Sequence, residues 1–199
     1  LEQVMDYCEL RIFKNKSTAS KDKIMSLSDS DAAYIKKGNR DAVIGYKPQL
    51  GQSGAGFISS IILPEGNAND AGQLNSVIQD HVDRTEVNPL EISLDDGYSN
   101  APVRDQWMEG GVLIFSVSGS KGKKMIPESE YSSEEYQTSR NSRSAVESLM
   151  FTIKHNFDFG RVMRRGIKSV RNELLEKVLA YNFYKILKLK KRESRKKVA

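Results

Sequence analysis

Between Ala42 and Gly119 short apolar runs alternate with helix-patterned stretches, and this alternation restricts the fold more than any other feature. AVIGYKPQL (42–50) and GFISSIILPE (56–65) are rich in Val, Ile and Phe and flank the glycine-rich GQSGA. Two such runs around a flexible turn predict a β-hairpin. Pro48 lacks an N–H, so it weakens the first strand or places it at an edge or bulge. Asn69 or Asp70 can cap a helix reaching about Val82, with Leu74, Val77, Ile78 and His81 on one face. Ile92 and Leu94 predict a short strand ending in Asp95-Asp96-Gly97, where the glycine permits a sharp turn.

Residues 101–109 read as helix, and GGVLIFSVSG (110–119) reads as a buried strand bounded by glycines. SKGKKMIPESEYSSEE (120–135) reads as a loop. One helix is predicted from about Ser133 to about Asn156, interrupted after that by FDFGRVMRRG (157–166). A final helix, about Lys168 to Lys191, carries Leu174, Leu175, Val178, Leu179, Phe183, Ile186 and Leu187 as one stripe, and its charged end is expected to fray. The order is hairpin, helix, strand, helix, strand, helix, helix. Strands joined through helices imply a mixed sheet covered by helices, an α/β fold.

Residues 1–14 predict a short amphipathic helix, with Leu1, Val4, Met5, Cys8 and Ile12 on one face, and residues 15–30 read as a polar linker. The expected division is 1–30 (helix and linker), 31–160 (main α/β body) and 161–199 (basic helix). Leu1-Glu2-Gln3 has neither an initiator Met nor a signal-peptide pattern, so the chain reads as a piece of a longer one. No run of eighteen apolar residues predicts a membrane span. Cys8 is the only cysteine, which excludes an intramolecular disulfide and a cysteine zinc site and fits a reducing compartment.

Charge is unevenly spread. Residues 140–199 hold 17 Lys and Arg against 5 Asp and Glu, a net of +12, while the remaining residues carry −7. A basic end on an acidic body suggests a polyanion, most often nucleic acid; a solvated basic helix is the alternative.

Two carboxylates stand out. Asp95 lies at the C-terminal end of a predicted strand, where ligands and catalytic groups gather in α/β sheets, although Asp before Asp-Gly is also ordinary turn chemistry. Glu147 shares one helical stripe with Arg143 and Lys154, at about −40° and −20° from it, beside Val146, Met150, Ile153 and Phe157. Alone, this describes an i,i+4 ion pair. Together, a carboxylate after a central strand and another on a later helix suit two-metal phosphoryl transfer, with Mg2+ held by oxygen ligands and nearby cations on DNA phosphates.

LDDGYSNA resembles the strand-end Asp-x-Gly-Tyr motif of bacterial insertion-sequence transposases of the DDE type. RSAVESLMFTIK resembles their Arg-x3-Glu-x6-Lys signature, met by Arg143, Glu147 and Lys154. KKGNRDAVIGYKPQL with GFISSIILPEGNANDAGQL, and the closing RVMRRGIKSVRNELLEKVLAYNFYKIL, are similar to the flanking parts of that family, from about residue 29 to about residue 190.

The resemblance implies an RNase H-like mixed sheet flanked by helices. It also implies two divalent metals (Mg2+, with Mn2+ able to substitute), nicking at transposon ends and strand transfer. Asp95 and Glu147 would be catalytic and metal-binding, and Arg143, Lys154, Arg161, Arg164 and Arg165 would contact DNA. The partner would be double-stranded DNA, the assembly a homo-oligomer, and the location cytoplasmic and nucleoid-associated. Two positions depart from the family. Where its first acid belongs the chain has Leu50-Gly51-Gln52-Ser53, with Asp29, Asp31 and Asp41 nearby in sequence. Arg140 stands where a Tyr is frequent. A catalytically dead DNA-binding remnant is therefore the alternative expectation.

Overall fold

The computed structural model describes residues 2–18, 23–36, 38, 39 and 41–196. Helix α1 (Glu2–Cys8) runs on into a wider π-type turn (Glu9–Phe13). Then come β1 (Ala33–Ile35), β2 (Val43–Gly45), β3 (Gln49–Gln52), β4 (Ile58–Ile62), α2 (Asp70–Thr85), β5 (Glu91–Leu94), α3 (Ala101–Glu109) and β6 (Ile114–Val117). Five helices close the chain: α4 (Ser120–Met125), α5 (Glu128–Tyr131), α6 (Glu134–Ser142), α7 (Ser144–Asn156) and α8 (Ile167–Lys196). The α/β character holds. Among the described residues, however, the strands pair as three two-stranded ladders rather than as the single mixed sheet that the element order predicts.

The predicted hairpin forms: β3 and β4 pair antiparallel, Gln49 opposite Ile62, with an irregularity at Gly51/Gln52. The strand predicted over 42–50 divides into two. Pro48 has no N–H for a ladder, and on its far side β2 pairs instead with β1, a three-residue strand that the sequence pattern did not reveal. Helix α2 is capped by Asn69, whose side chain accepts the Ala71 N–H, and its Asp80 accepts the Ile61 N–H of β4 at 2.8 Å. That bond ties the helix to the hairpin.

Strands β5 and β6 are parallel, Glu91 opposite Ile114 through Leu94 opposite Val117, with α3 as the crossover. This pairing brings the C-terminal ends of both strands together, so the residues after each, Asp95 and Ser118, face one another across the sheet end. Two apolar clusters support the fold. Leu74, Ile78, Ile92, Val112, Phe115 and Val117 fill the space between α2 and the β5–β6 pair. Ile58, Ile61, Leu63, Leu149, Ile153, Phe159, Val170, Leu174, Val178 and Tyr181 join β4, α7 and the first half of α8. Each fully buried large side chain here contributes about 1.5–3 kcal/mol.

Three predicted elements differ. The loop over 120–135 contains α4 and α5. The helix expected over 133–156 is interrupted at Arg143, in Ser- and Asn-rich sequence where the Ser142 hydroxyl bonds back to the Ser139 carbonyl at 2.7 Å, competing with regular helix bonding. Finally, α8 continues to Lys196 instead of fraying near Lys191. Its buried face is Val170, Leu174, Val178 and Tyr181, whereas Leu179, Phe183, Ile186 and Leu187 of the predicted stripe are exposed. The helix turns this face inward because Asn182 pairs with both backbone groups of Ile58, at 2.9 Å each, and the Tyr181 hydroxyl donates to the Gly56 carbonyl. Leu1 lies outside the described residues.

Candidate active site

Each residue of the turn after β5 has its own partner. Asp95 receives the Asp96 N–H at 2.9 Å and the Ser118 hydroxyl at 3.4 Å. Asp96 turns the other way and accepts the Lys121 and Gly122 N–H groups at the start of α4, at 2.8 and 3.3 Å. Gly97 does not adopt the left-handed conformation that a sharp turn would require of it. Its requirement is close approach: a Cβ there would lie 3.2 Å from the Asp70 carboxylate. Tyr98 donates its hydroxyl to the Gln49 side chain. Burial, then the negative charges of Asp70 and Asp95, push its phenol up, so it stays protonated as a donor.

Helix α6 is fixed against β6 by buried polar contacts. The Tyr136 hydroxyl accepts the Val117 N–H at 3.0 Å and donates to the Val117 carbonyl at 3.1 Å, and the Ser116 and Ser139 hydroxyls meet at 2.8 Å. These bonds satisfy groups that would each cost about 1–3 kcal/mol if buried unpaired. They also set the end of α6 beside the strand ends. Arg143, at the junction of α6 and α7, therefore reaches Asp95 with one terminal nitrogen (3.7 Å) and Glu147 with the other (3.0 Å). Both carboxylates are more than half exposed, while Arg143 is 28% exposed. The ion pair foreseen between Arg143 and Glu147 thus exists and extends to Asp95.

The acids nearest before Leu50–Ser53 in sequence are engaged elsewhere. Asp29 accepts the Tyr46 hydroxyl at 2.9 Å and the Gly166 N–H at 3.2 Å, and Asp31 accepts the Ile167 N–H at 2.8 Å. They cap the N-terminus of α8, where backbone donors and the helix dipole favour negative charge. Asp41 is exposed between β1 and β2. Ser53 closes the β3–β4 turn by bonding Phe57, and the Gln52 side-chain oxygen is buried without a partner among the described residues. The acid that does approach the turn after β5 is Asp70, held by Lys47 at 2.7 Å and Gln49 at 3.0 Å. Its sequence signal was that of a helix cap, and local spacing carries nothing that links it to Gly97.

The candidate DNA contacts divide. Lys154 is exposed on α7, with its side chain against Gly160. Arg161 and Arg165 are exposed on the segment before α8. Arg164 lies in the same segment but is bound at both terminal nitrogens by Glu176, at 2.8 and 2.9 Å. The segment is itself clasped by the buried Glu173, which accepts the Met163 and Arg164 N–H groups and pairs with Lys177 at 2.8 Å. Burial alone would push the Glu173 carboxyl up, but Lys177 and the two backbone donors hold it below the usual carboxylate range.

Asp95 and Glu147 supply hard oxygen donors that suit Mg2+, which uses one or two carboxylates and keeps water. Among the described residues no three His, Cys, Asp or Glu side chains gather as a metal cluster. No described helix is long and apolar enough to cross a membrane. The sequence profile of the family described as "Transposase DDE domain" matches residues 9–183. No curated protein and no solved structure matches the chain.

Proposed function

The chain belongs to the transposase DDE domain family, and on that premise we propose that it cuts and joins double-stranded DNA at transposon ends by phosphoryl transfer. The observation that carries this reading is the meeting of Asp95 and Glu147, distant in sequence, on one guanidinium. A strand-end acid beside a helix acid is the arrangement expected of an RNase H-like site, and the parallel β5–β6 pair supports it. Asp95 and Glu147 would hold Mg2+, with Mn2+ able to take its place; when bound, the cation stabilises charge on the attacking and leaving oxygens. Arg143 neutralises both carboxylates and orients them. Lys154, Arg161 and Arg165 present exposed cations for DNA phosphates. Arg164 joins them on release from Glu176.

A second reading, a DNA-binding remnant without chemistry, is favoured by one observation: Asp29 and Asp31 are committed to capping α8 rather than to the acid pair. Nicking of duplex DNA in Mg2+ or Mn2+ separates the two. The enzyme reading expects cleavage that falls on the order of 100-fold or more in Glu147→Gln, the scale of losing one transition-state electrostatic contact. If wild type and variant bind DNA equally and neither cuts, the enzyme reading fails and the remnant reading stands. Binding of either kind should weaken steeply with salt.

A further inference from the structure

Two apolar faces of this chain are left uncovered. On α8, Leu179, Phe183, Ile186 and Leu187 stand on adjoining turns within a band of about 100°, with Phe183 58% and Leu187 67% exposed. On α1 and its π-type turn, Met5, Ile12 and Phe13 are 63, 70 and 82% exposed. A contiguous exposed apolar patch of this kind marks an interaction surface. We propose that the two faces cover one another: the α8 stripe is the docking surface for this chain's own N-terminal helix. The inference is independent of the phosphoryl-transfer reading.

A helix as short as Glu2–Phe13 is marginal in water and needs a surface to pack on. Among the described residues its bonds stay within its own segment, Lys14 with Glu9 and Lys16 with Leu10, and it belongs to neither apolar cluster. The lengths match: α1 with its turn is about 17 Å long, and Leu175 to Leu187 spans about 18 Å of α8. The chain re-enters the body at the start of α8, where Asp29 and Asp31 bond the Gly166 and Ile167 N–H groups. From there the stripe begins about 18 Å along the helix and ends at about 30 Å. The chain between Phe13 and Asp29 can span up to about 50 Å, so α1 reaches the stripe. This tether places Phe13 toward Leu179 and Met5 toward Leu187, an antiparallel pairing. Charge agrees with that direction, because Glu2 and Asp6 then lie beside Lys188, Lys190 and Lys191, all exposed. The tether also favours the chain's own helix over a second copy, since a short flexible linker gives a millimolar effective concentration.

The test uses Cys8, the only cysteine, in the full chain. In the antiparallel register Cys8 lies nearest Phe183. A disulfide needs Cα atoms within about 7 Å, so cross-linking reports the contact. Under mild oxidation Phe183→Cys is expected to form an intrachain disulfide at least about tenfold faster than Arg171→Cys, an exposed position two turns before the stripe. Its rate should not depend on protein concentration. Because Phe183→Cys removes part of the stripe, hydrogen exchange of the unaltered protein gives a second measurement. Amides of residues 4–13 should be protected, and Leu187→Glu should speed their exchange about tenfold while amides on the buried side of α8, from Val170 to Val178, keep their protection. Equal oxidation rates in the two cysteine variants, or unprotected exchange of residues 4–13 in the unaltered protein, would overturn the proposal. A disulfide that forms only between chains and quickens with concentration would give the surface to a second copy, and the assignment to the chain's own helix would fall.

Discussion

Asp95 and Glu147 meet on opposite terminal nitrogens of a single guanidinium, that of Arg143, at 3.7 and 3.0 Å. A lysine carries its charge at one point and cannot hold both acids in a fork. Arg143→Lys should therefore depress DNA nicking about tenfold or more, a loss typical of a disturbed supporting contact. Exposed ion pairs contribute at most about 1 kcal/mol, so the urea midpoint should barely move. A large stability loss with unchanged nicking would show that Arg143 is structural only.

Asp29 and Asp31 offer a contrasting test. Because they cap α8 and Asn keeps the acceptor oxygen while losing the charge, Asp29→Asn and Asp31→Asn should each cost at most about 1 kcal/mol of stability and leave any metal-dependent nicking at the wild-type rate. Urea denaturation and the plasmid assay together decide it. Abolished nicking in a fully folded Asp29→Asn or Asp31→Asn would mark that residue as the first acid after all.

The glycines around the site differ in what they must avoid. A Cβ at Gly97 meets the Asp70 carboxylate at 3.2 Å, which a few tenths of an ångström of movement relieves. At Gly119 the backbone has φ +93°, and a Cβ would lie 2.7 Å from Asp96 Cγ. Gly97→Ala should cost about 1 kcal/mol and Gly119→Ala about 3 kcal/mol, adding overpacking to backbone strain. Equal losses in thermal melts would contradict this ordering.

Glu173 gives the fold a pH dependence. Its folded carboxyl titrates below the ordinary value of 4.5, so its contribution is complete above that value and disappears as pH falls through the lower folded one. Glu173→Gln should lose about 2–3 kcal/mol at neutral pH, since a buried charged acceptor is removed and Lys177 loses its partner. The variant should also show a flatter stability profile below pH 4.5. An unchanged acid profile would mean that other carboxylates dominate acid unfolding.

Local pattern determined much of this protein. Short apolar runs bounded by turn residues specified the β3–β4 hairpin and the strands at 91–94 and 114–117, and a cap with one apolar face specified α2. Motif spacing singled out Asp95, Arg143, Glu147 and Lys154 and pointed to the family. These signals are legible because each depends on neighbours within one element. Where local rules compete they failed: Ser142 turned a long predicted helix into two, and the stripe of α8 was misassigned because half of it has no facing layer.

Tertiary structure decided which charges distant in sequence meet. Parallel pairing of β5 with β6 and the Tyr136–Val117 bonds carried Arg143 to Asp95. The same folding assigned Asp29 and Asp31 to the start of α8, Asp70 to the space beside Gly97, and Arg164 to Glu176. Such pairings join residues through space across loops. Periodicity reports which side of an element is buried, and it is packing that selects the partner on the other side.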